Sequence, residues 1–380
     1  MKGTKILGNT FMSISVLFAL SRLLTAGTSD GILYLGNTPL CHTHPTIIPF
    51  DVPDAGTGPF QGTQPTAINS SGLIAGVYGD ASTVNHGFVR DEDGAITTFD
   101  VPGGGTGPHQ GPFPWSINPE GVIAGIVIDA SDAVHGFVRA ANGAIATFDV
   151  PGALLTISQN INPGGVIAGR YVDASIVIHG FVRAANGAIT TFDVPGAGTG
   201  PGQGTNPGSV DCLSPAGVIT GWYTDASNAN HGFVRSANGA ITTFDVPGAG
   251  TGAFQGTFPG GINPTGTIEG GYTDASGLNH GFLRAADGTI TMFDVPSAVN
   301  GTFPSNINPM GAVTGSFADS SNVSHGFVRA LNGVITTFDP PGAGTGPGQG
   351  TSPFCNNPVG AITGYYLDSS NVFHGFLRTP

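Results

Sequence analysis

The feature that most limits what this chain can fold into is a repeat. A stretch from Asp225 through Asn230-His231-Gly232-Phe233-Val234-Arg235 and Asn238-Gly239 to Ile241-Thr242-Thr243-Phe244-Asp245-Val246-Pro247 returns in close copies over almost everything after residue 45. Repetition has to be read before length is divided into domains, because each copy is a supersecondary unit that buries its apolar face only against its neighbours. Of 380 residues, 63 are Gly, 29 are Pro and only 9% are charged. Val, Ile, Phe and Thr recur in short runs, which favours many short strands joined by tight turns. The expected class is all-β.

Each copy reads as four strands. A Gly-rich passage such as Gly196-Ala197-Gly198-Thr199-Gly200 leads into strand A, and Asn118-Pro119-Glu120-Gly121 has the residues of a type I turn into strand B. Strand B ends at an aspartate in every copy, and strand C opens with His-Gly-Phe-(Val/Leu)-Arg. In six copies Asn-Gly or Asp-Gly follows, a two-residue hairpin signal with positive φ at both turn positions. Strand D carries Ile-Thr-Thr-Phe-Asp-Val-Pro or a near variant. Folding this hairpin about Asn186-Gly187 sets Phe181 opposite Phe192 and Val182 opposite Thr191. Both faces are then apolar and need cover, and the facing rings add about 0.5–1.5 kcal/mol beyond their burial.

The His-initiated strand occurs seven times, from His86 to His374, and the Phe-Asp strand seven times, from Phe50 to Phe338. The chain opens on an unpaired strand D at residues 46–53 and stops after an unpaired strand C at Arg378-Thr379-Pro380. An open solenoid would leave both edges exposed, which is unfavourable, whereas a ring lets them complete the last sheet. The expectation is a seven-bladed β-propeller of four-stranded blades over residues 46–380, closed by the N-terminal strand pairing with the C-terminal blade.

Spacing points to one face. From the second turn position (Ser70, Pro119 and their equivalents) to the following aspartate is always 10 residues, from there to His 6, and from His to the Phe of strand D 13. All variation falls between strand D and the next strand A: Phe148 to Pro163 is 15 residues, Phe192 to Pro215 is 23. The end of the sheets that carries these D–A loops and the B–C turns is therefore the candidate binding face.

On that face lie Asp80, Asp129, Asp173, Asp225, Asp274, Asp319 and Asp368, a ring of carboxylates able to take hydroxyl-rich ligands or cations. Their structural reading is that each caps its own B–C turn through backbone N–H groups, with His closing the loop. The repeated arginines read as stems stretched over the sheet and paired with acids or carbonyls. Residues outside the repeat are sharper pointers: His109 and Trp115, in or near one D–A loop, could stack on a sugar or peptide, although for Trp115 filling a gap between blades is the favoured reading. Glu92, Glu120 and Glu269 are too scattered for a paired-carboxylate active site. No catalytic residue stands out from the repeats, and neither a metal nor a cofactor is expected. Cys41, His42 and His44 make a compact but geometrically poor metal group. Cys212 and Cys355 share one repeat position, where other copies have Ala67, Ser116, Asn160, Gly261 and Asn306, and read as small packing residues.

Composition narrows the partners. Of the 11 cations, Lys2, Lys5 and Arg22 lie at the N-terminus, seven arginines are repeat positions and Arg170 is the remainder, against 24 acids further along. Such a body repels a phosphate backbone, so nucleic acid is excluded as a partner. Residues 1–27, with lysines, an apolar run from Phe11 to Leu20 and small residues at Thr25-Ala26-Gly27, have the layout of a secretory signal, and 28–45 read as a linker. No other segment is apolar enough to span a bilayer.

The Ile-Asn-Pro-x-Gly-x-Ile-x-Gly run followed by His-Gly-Phe-(Val/Leu)-Arg resembles the bacterial extracellular repeats of the HAF family, named for a His-Ala-Phe signature in which Gly here replaces Ala in all seven copies. The resemblance covers about residues 46–380 and implies a secreted or surface repeat protein, with no catalytic residue to carry over. The expectation is a monomeric, secreted, non-catalytic scaffold that binds a glycan or protein ligand through its loop face. The alternatives are a structural surface or matrix protein and a propeller hydrolase or lyase.

Overall fold

The computed structural model describes residues 45–208 and 211–380. The signal-like segment, the linker up to residue 44 and the Cys41, His42 and His44 group lie outside them. Among the described residues there are 28 strands and no helix. In the first unit Gly62–Ile68, Ile74–Gly79, Asn85–Arg90 and Ile96–Phe99 pair antiparallel in chain order as strands A to D. The same order recurs along the chain. In the last unit, Gly350–Asn356, Ile362–Leu367 and Phe373–Thr379 are followed by a fourth strand from the other end of the sequence. That fourth strand, Thr46–Phe50, pairs antiparallel with Phe373–Thr379, Thr46 opposite Thr379 and Phe50 opposite Gly375.

The C–D hairpin differs from the sequence expectation by one residue of register. Gly180 lies opposite Phe192, Phe181 opposite Thr191 and Val182 opposite Thr190. The loop is closed by Ala184 N–H to Ala188 O at 2.8 Å, with Gly187 N–H returning to Ala184 O, and only Gly187 has positive φ, at 92°. This is a three-residue loop, a type I turn followed by a glycine bulge, rather than a two-residue turn with both residues left-handed. The shift matters because side chains alternate faces. Phe192 lies across Gly180, where a Cβ would come within 2.5 Å of the ring. The Gly of each His-Gly-Phe motif leaves room for the strand D phenylalanine.

The phenylalanine pairs consequently form between units, not within a hairpin. The strand C rings, from Phe88 to Phe376, are fully buried, each meeting the strand D ring of the preceding unit edge-on. Phe148 and Phe181 are 6.1 Å apart at 77°, and Phe338 and Phe376 are 5.9 Å apart at 71°. Phe50 reaches Phe88 in the same way, at 6.2 Å and 77°. Over each strand D ring sits the arginine that ends the next strand C, such as Arg183 at 4.7 Å from the Phe148 centroid and Arg90 at 5.0 Å from that of Phe50. Of the expected partners, carbonyls are met where Arg90, Arg284 and Arg329 donate to Asp91 O, Ala285 O and Ala330 O, but acids are not: no ion pair involves these arginines among the described residues, and the aromatic face takes the cation.

A second set of junctions lies at the A–B turns. Asn118 Oδ1 accepts the Val122 N–H at 2.8 Å, bracing its own turn, while Asn69 Nδ2 donates to Asn118 O at 3.1 Å in the next unit. Asn308 donates to Asn357 O and Asn357 to Asn69 O, at 3.1 and 3.2 Å, so the last unit is joined to the first as other neighbours are joined.

Candidate functional site

At the loop end of the sheets each strand C histidine stands between two carboxylates. His86 Nδ1 lies 2.7 Å from Asp100 Oδ1, and its Nε2 is 3.7 Å from Asp80 Oδ2. The set occurs seven times, the last joining His374 to Asp51 at 2.9 Å and Asp368 at 3.6 Å. An aromatic ring stacks on most of these imidazoles, as Tyr78 does on His86 at 5.0 Å. For His135 burial alone would push the imidazole down, but the hydrogen bonds and charges of Asp149 and Asp129 overcome it and raise its pKa.

The seven candidate aspartates occupy the turn-capping geometry. Asp80 Oδ1 accepts the N–H groups of Ser82 and Val84, both at 2.8 Å. Asp129, Asp173, Asp225, Asp274, Asp319 and Asp368 repeat the arrangement. With Oδ1 in the turn and Oδ2 towards histidine, these groups organise the face. The more exposed carboxylates belong to the Phe-Asp dipeptides: the Asp100 side chain is 68% accessible against 30% for Asp80. Sequence reading passed over them, although their constant spacing of 14 residues from six of the seven histidines was the available signal.

The D–A loops are braced rather than loose. In Gly200-Pro201-Gly202-Gln203, Gln203 Oε1 accepts the Gly200 N–H at 2.9 Å while Nε2 donates to Asn228 Oδ1 at 3.0 Å on the neighbouring B–C turn. The residue before this glutamine is left-handed at five loop tips: Phe60, His109, Gly202, Phe254 and Gly348, with φ of 62°, 62°, 80°, 64° and 79°. His109 is exposed at its tip, its carbonyl accepting from Asn85 Nδ2. Trp115 is not with it on the loop. It sits on Gly111–Ile117 at a bulge, its ring tilted 37° against that of Phe113 at 4.6 Å beside Ile126, Val134 and Ile157.

A second polar group lies inside. The fourth strand A is short, Gly204–Pro207, and the chain then brings Asp211 to where other A strands meet. Its carboxylate accepts from Asn160 Nδ2 at 3.1 Å and from Asn306 Nδ2, and lies 3.8 Å from Cys355 Sγ. These partners belong to the third, sixth and seventh units. Glu269 is wholly buried, with Oε1 accepting the Gly261 N–H at 2.7 Å. Its space exists because residues 260 and 261 are glycines where other units carry side chains: a Cβ on Gly260 would stand 2.4 Å from Oε1. Burial, with the charge of Asp211 adding to it, pushes Glu269 up to about 8, and burial raises Asp211 against its amide donors. Cys212 and Cys355 are free thiols, also raised by burial.

No protein-family model and no curated protein matches the chain. Solved structures do. The virginiamycin B lyase of Staphylococcus aureus superposes with a TM-score of 0.56 at 15% identity, covering 89% of this chain and 100% of that one. A streptogramin B lyase gives 0.55 at 16%, covering 88% and 98%. A prolyl endopeptidase gives 0.52 at 13%, over 87% of this chain and 50% of that one. The chain has the all-β fold of β-propeller proteins. At these identities the likeness is one of fold, and a fold shared by a lyase and a peptidase does not select a chemistry.

Proposed function

We propose that the chain is a secreted or cell-surface, HAF-type seven-bladed propeller, closed by Thr46–Phe50, and that it works as a non-catalytic scaffold binding a glycan on its loop face. The closure reading is supported by the Thr46–Thr379 register, the Phe50–Phe88 contact and the Asn357–Asn69 bond.

The observation that carries the binding reading is the pair Phe60 and Phe254. A left-handed backbone costs a non-glycine residue about 1–2 kcal/mol, and the same tips at 202 and 348 adopt it with glycine. Yet Phe60 and Phe254 are 52% and 76% exposed as residues, Phe60 resting one side of its ring on Phe373 at 6.3 Å and Phe254 standing more open. Strain held to present an aromatic face to solvent is a mark of recognition. Flat apolar rings on the face that also carries exposed carboxylates match the apolar faces and hydroxyl edges of sugars. The test is a glycan array with the wild type and the Phe60→Gly/Phe254→Gly double variant. Binding should fall at least about tenfold in the variant, with melting temperature unchanged or raised. A blank array with folded protein overturns the glycan reading, as does a variant that binds like wild type.

A further inference from the structure

The turn end of the sheets, opposite the loop face, departs from the repeat in one place. Among the described residues the exposed large apolar side chains at these turns are Met310, Leu331, Val334 and Val359, at 67%, 77%, 56% and 70%. All four belong to the sixth and seventh units. At the A–B turn position of Met310 and Val359 the other copies hold Ser71, Glu120, Gly164, Ala216 and Thr265. At the hairpin position of Leu331 they hold Glu92 or alanine. Packing within a unit therefore needs only a small or polar residue at these positions. The four side chains stand on adjoining turns. A Cβ on Gly311 would come within 2.9 Å of Leu331 Cδ1, so this hairpin lies over the turn that carries Met310. Val334 closes the same hairpin, its carbonyl accepting the Ala330 N–H at 2.8 Å. Asn308, which opens the Met310 turn, donates to Asn357 O, in the turn that carries Val359. A patch of a few hundred Å² of this kind marks an interaction site.

The chain itself enters at this end. Thr46 lies opposite Thr379, and a Cβ on Gly360, the neighbour of Val359, would stand 3.3 Å from Pro380 Cγ. In the sixth unit a hairpin loop covers the A–B turn. In the seventh the last two strands come from opposite ends of the sequence, so no loop joins them over the Val359 turn. The chain before Pro45 leaves from the place that loop takes elsewhere. Between residues 28 and 45 the one run of large apolar residues is Ile32-Leu33-Tyr34-Leu35. Leu35 is 10 residues from Pro45, a tether of up to about 33 Å, whereas packed sheets lie about 10 Å apart. The run can thus reach both the seventh and the sixth unit. We propose that Ile32-Leu33-Tyr34-Leu35 docks on the patch formed by Met310, Leu331, Val334 and Val359, capping the turn end of the last two units. A second copy is the weaker occupant, since four side chains fall well short of the roughly 800 Å² that each partner gives to a standard interface. A run of four apolar residues on a short tether matches the patch in size and chemistry. The proposal concerns the end opposite the loop face and is independent of the glycan reading.

The test is methyl NMR on the full chain as isolated. Methyl groups of Leu33 and Leu35 should give cross-relaxation to those of Met310 and Leu331 within one chain. Leu33→Ser/Leu35→Ser leaves the sheets untouched; it should abolish that cross-relaxation and shift the Met310 and Leu331 signals. Met310→Thr/Leu331→Ala installs the residues that Thr265 and Ala286 supply at the same positions, so it should fold. In it the Leu33 and Leu35 signals should sharpen as the run comes free. Absence of contact in the wild type, with patch signals unmoved by the serine variant, overturns the proposal. A mass spectrum showing that the isolated chain lacks residues 32–35 overturns it as well. So does contact found only between differently labelled copies in a mixed sample, which would give the patch to a second copy of the chain.

Discussion

At Gly180 one missing methyl group decides how two strands lie. The Phe192 ring occupies the space a Cβ would need, and six further units repeat the contact. Gly180→Ala should therefore destabilise the protein by about 1–3 kcal/mol, the usual cost of overpacking, seen as a lower calorimetric melting temperature. Glu269 sets a different dependence. Its folded form holds a proton up to about pH 8, against an ordinary carboxyl value of 4.5. Between those values the folded state binds the proton that the unfolded state has lost. This contribution is fully present below the ordinary value, falls as pH rises to about 8 and is flat above it. The drop is on the order of a few kcal/mol. Urea unfolding across that window should show the slope, and Glu269→Ala should remove it.

Among the elements, strands were easier to read than turns. Alternation, the Asn-Pro-x-Gly turn and the recurrence of His-Gly-Phe locate all four strand types, but Asn-Gly serves two hairpin geometries. Only the backbone distinguishes the pair of left-handed residues from a type I turn with Gly187 in the bulge. That one-residue ambiguity moved the phenylalanine contacts from inside a unit to the boundary between units. The B–C turn is legible in more detail, because an aspartate two residues before a serine has donors ready. Asp129 is held down at about 2, first by the Ser131 hydroxyl and then by the Ala133 N–H, and Asp274 likewise by Ser276 and Leu278. Such a carboxylate supports the turn at pH above its ordinary value and ceases to as pH falls through about 2. Carboxyl titration by NMR should find both low, and Ser131→Ala should move Asp129 towards the ordinary carboxylate range while leaving Asp274 in place.

For the whole molecule, the partnerless first and last strands pointed to their pairing, since an exposed edge at each end is costly. What the repeat hid was the interior. Asp211 enters through the longest D–A passage, and Glu269 through a position that holds Ala or Thr in the other copies, relieved by glycines on the facing strand. Each is an exception whose meaning depends on residues in other units, so no comparison of copies alone exposes it. The closing strand can be tested against its equivalents. Phe50→Ala should cost about 2–3 kcal/mol, low for a phenylalanine truncation because the ring is partly exposed. Phe192→Ala should cost about the same in calorimetry, whereas a loosely attached end would make Phe50 nearly free to lose. The register that puts Thr46 beside Thr379 also has a mechanical meaning. A pull that separates the two ends of this ladder loads its outermost bonds first and peels the strands apart one rung at a time. A pull along the strands shears all the rungs at once. The joint is weak against tension that parts Thr46 from Thr379 and strong against force along its own strands.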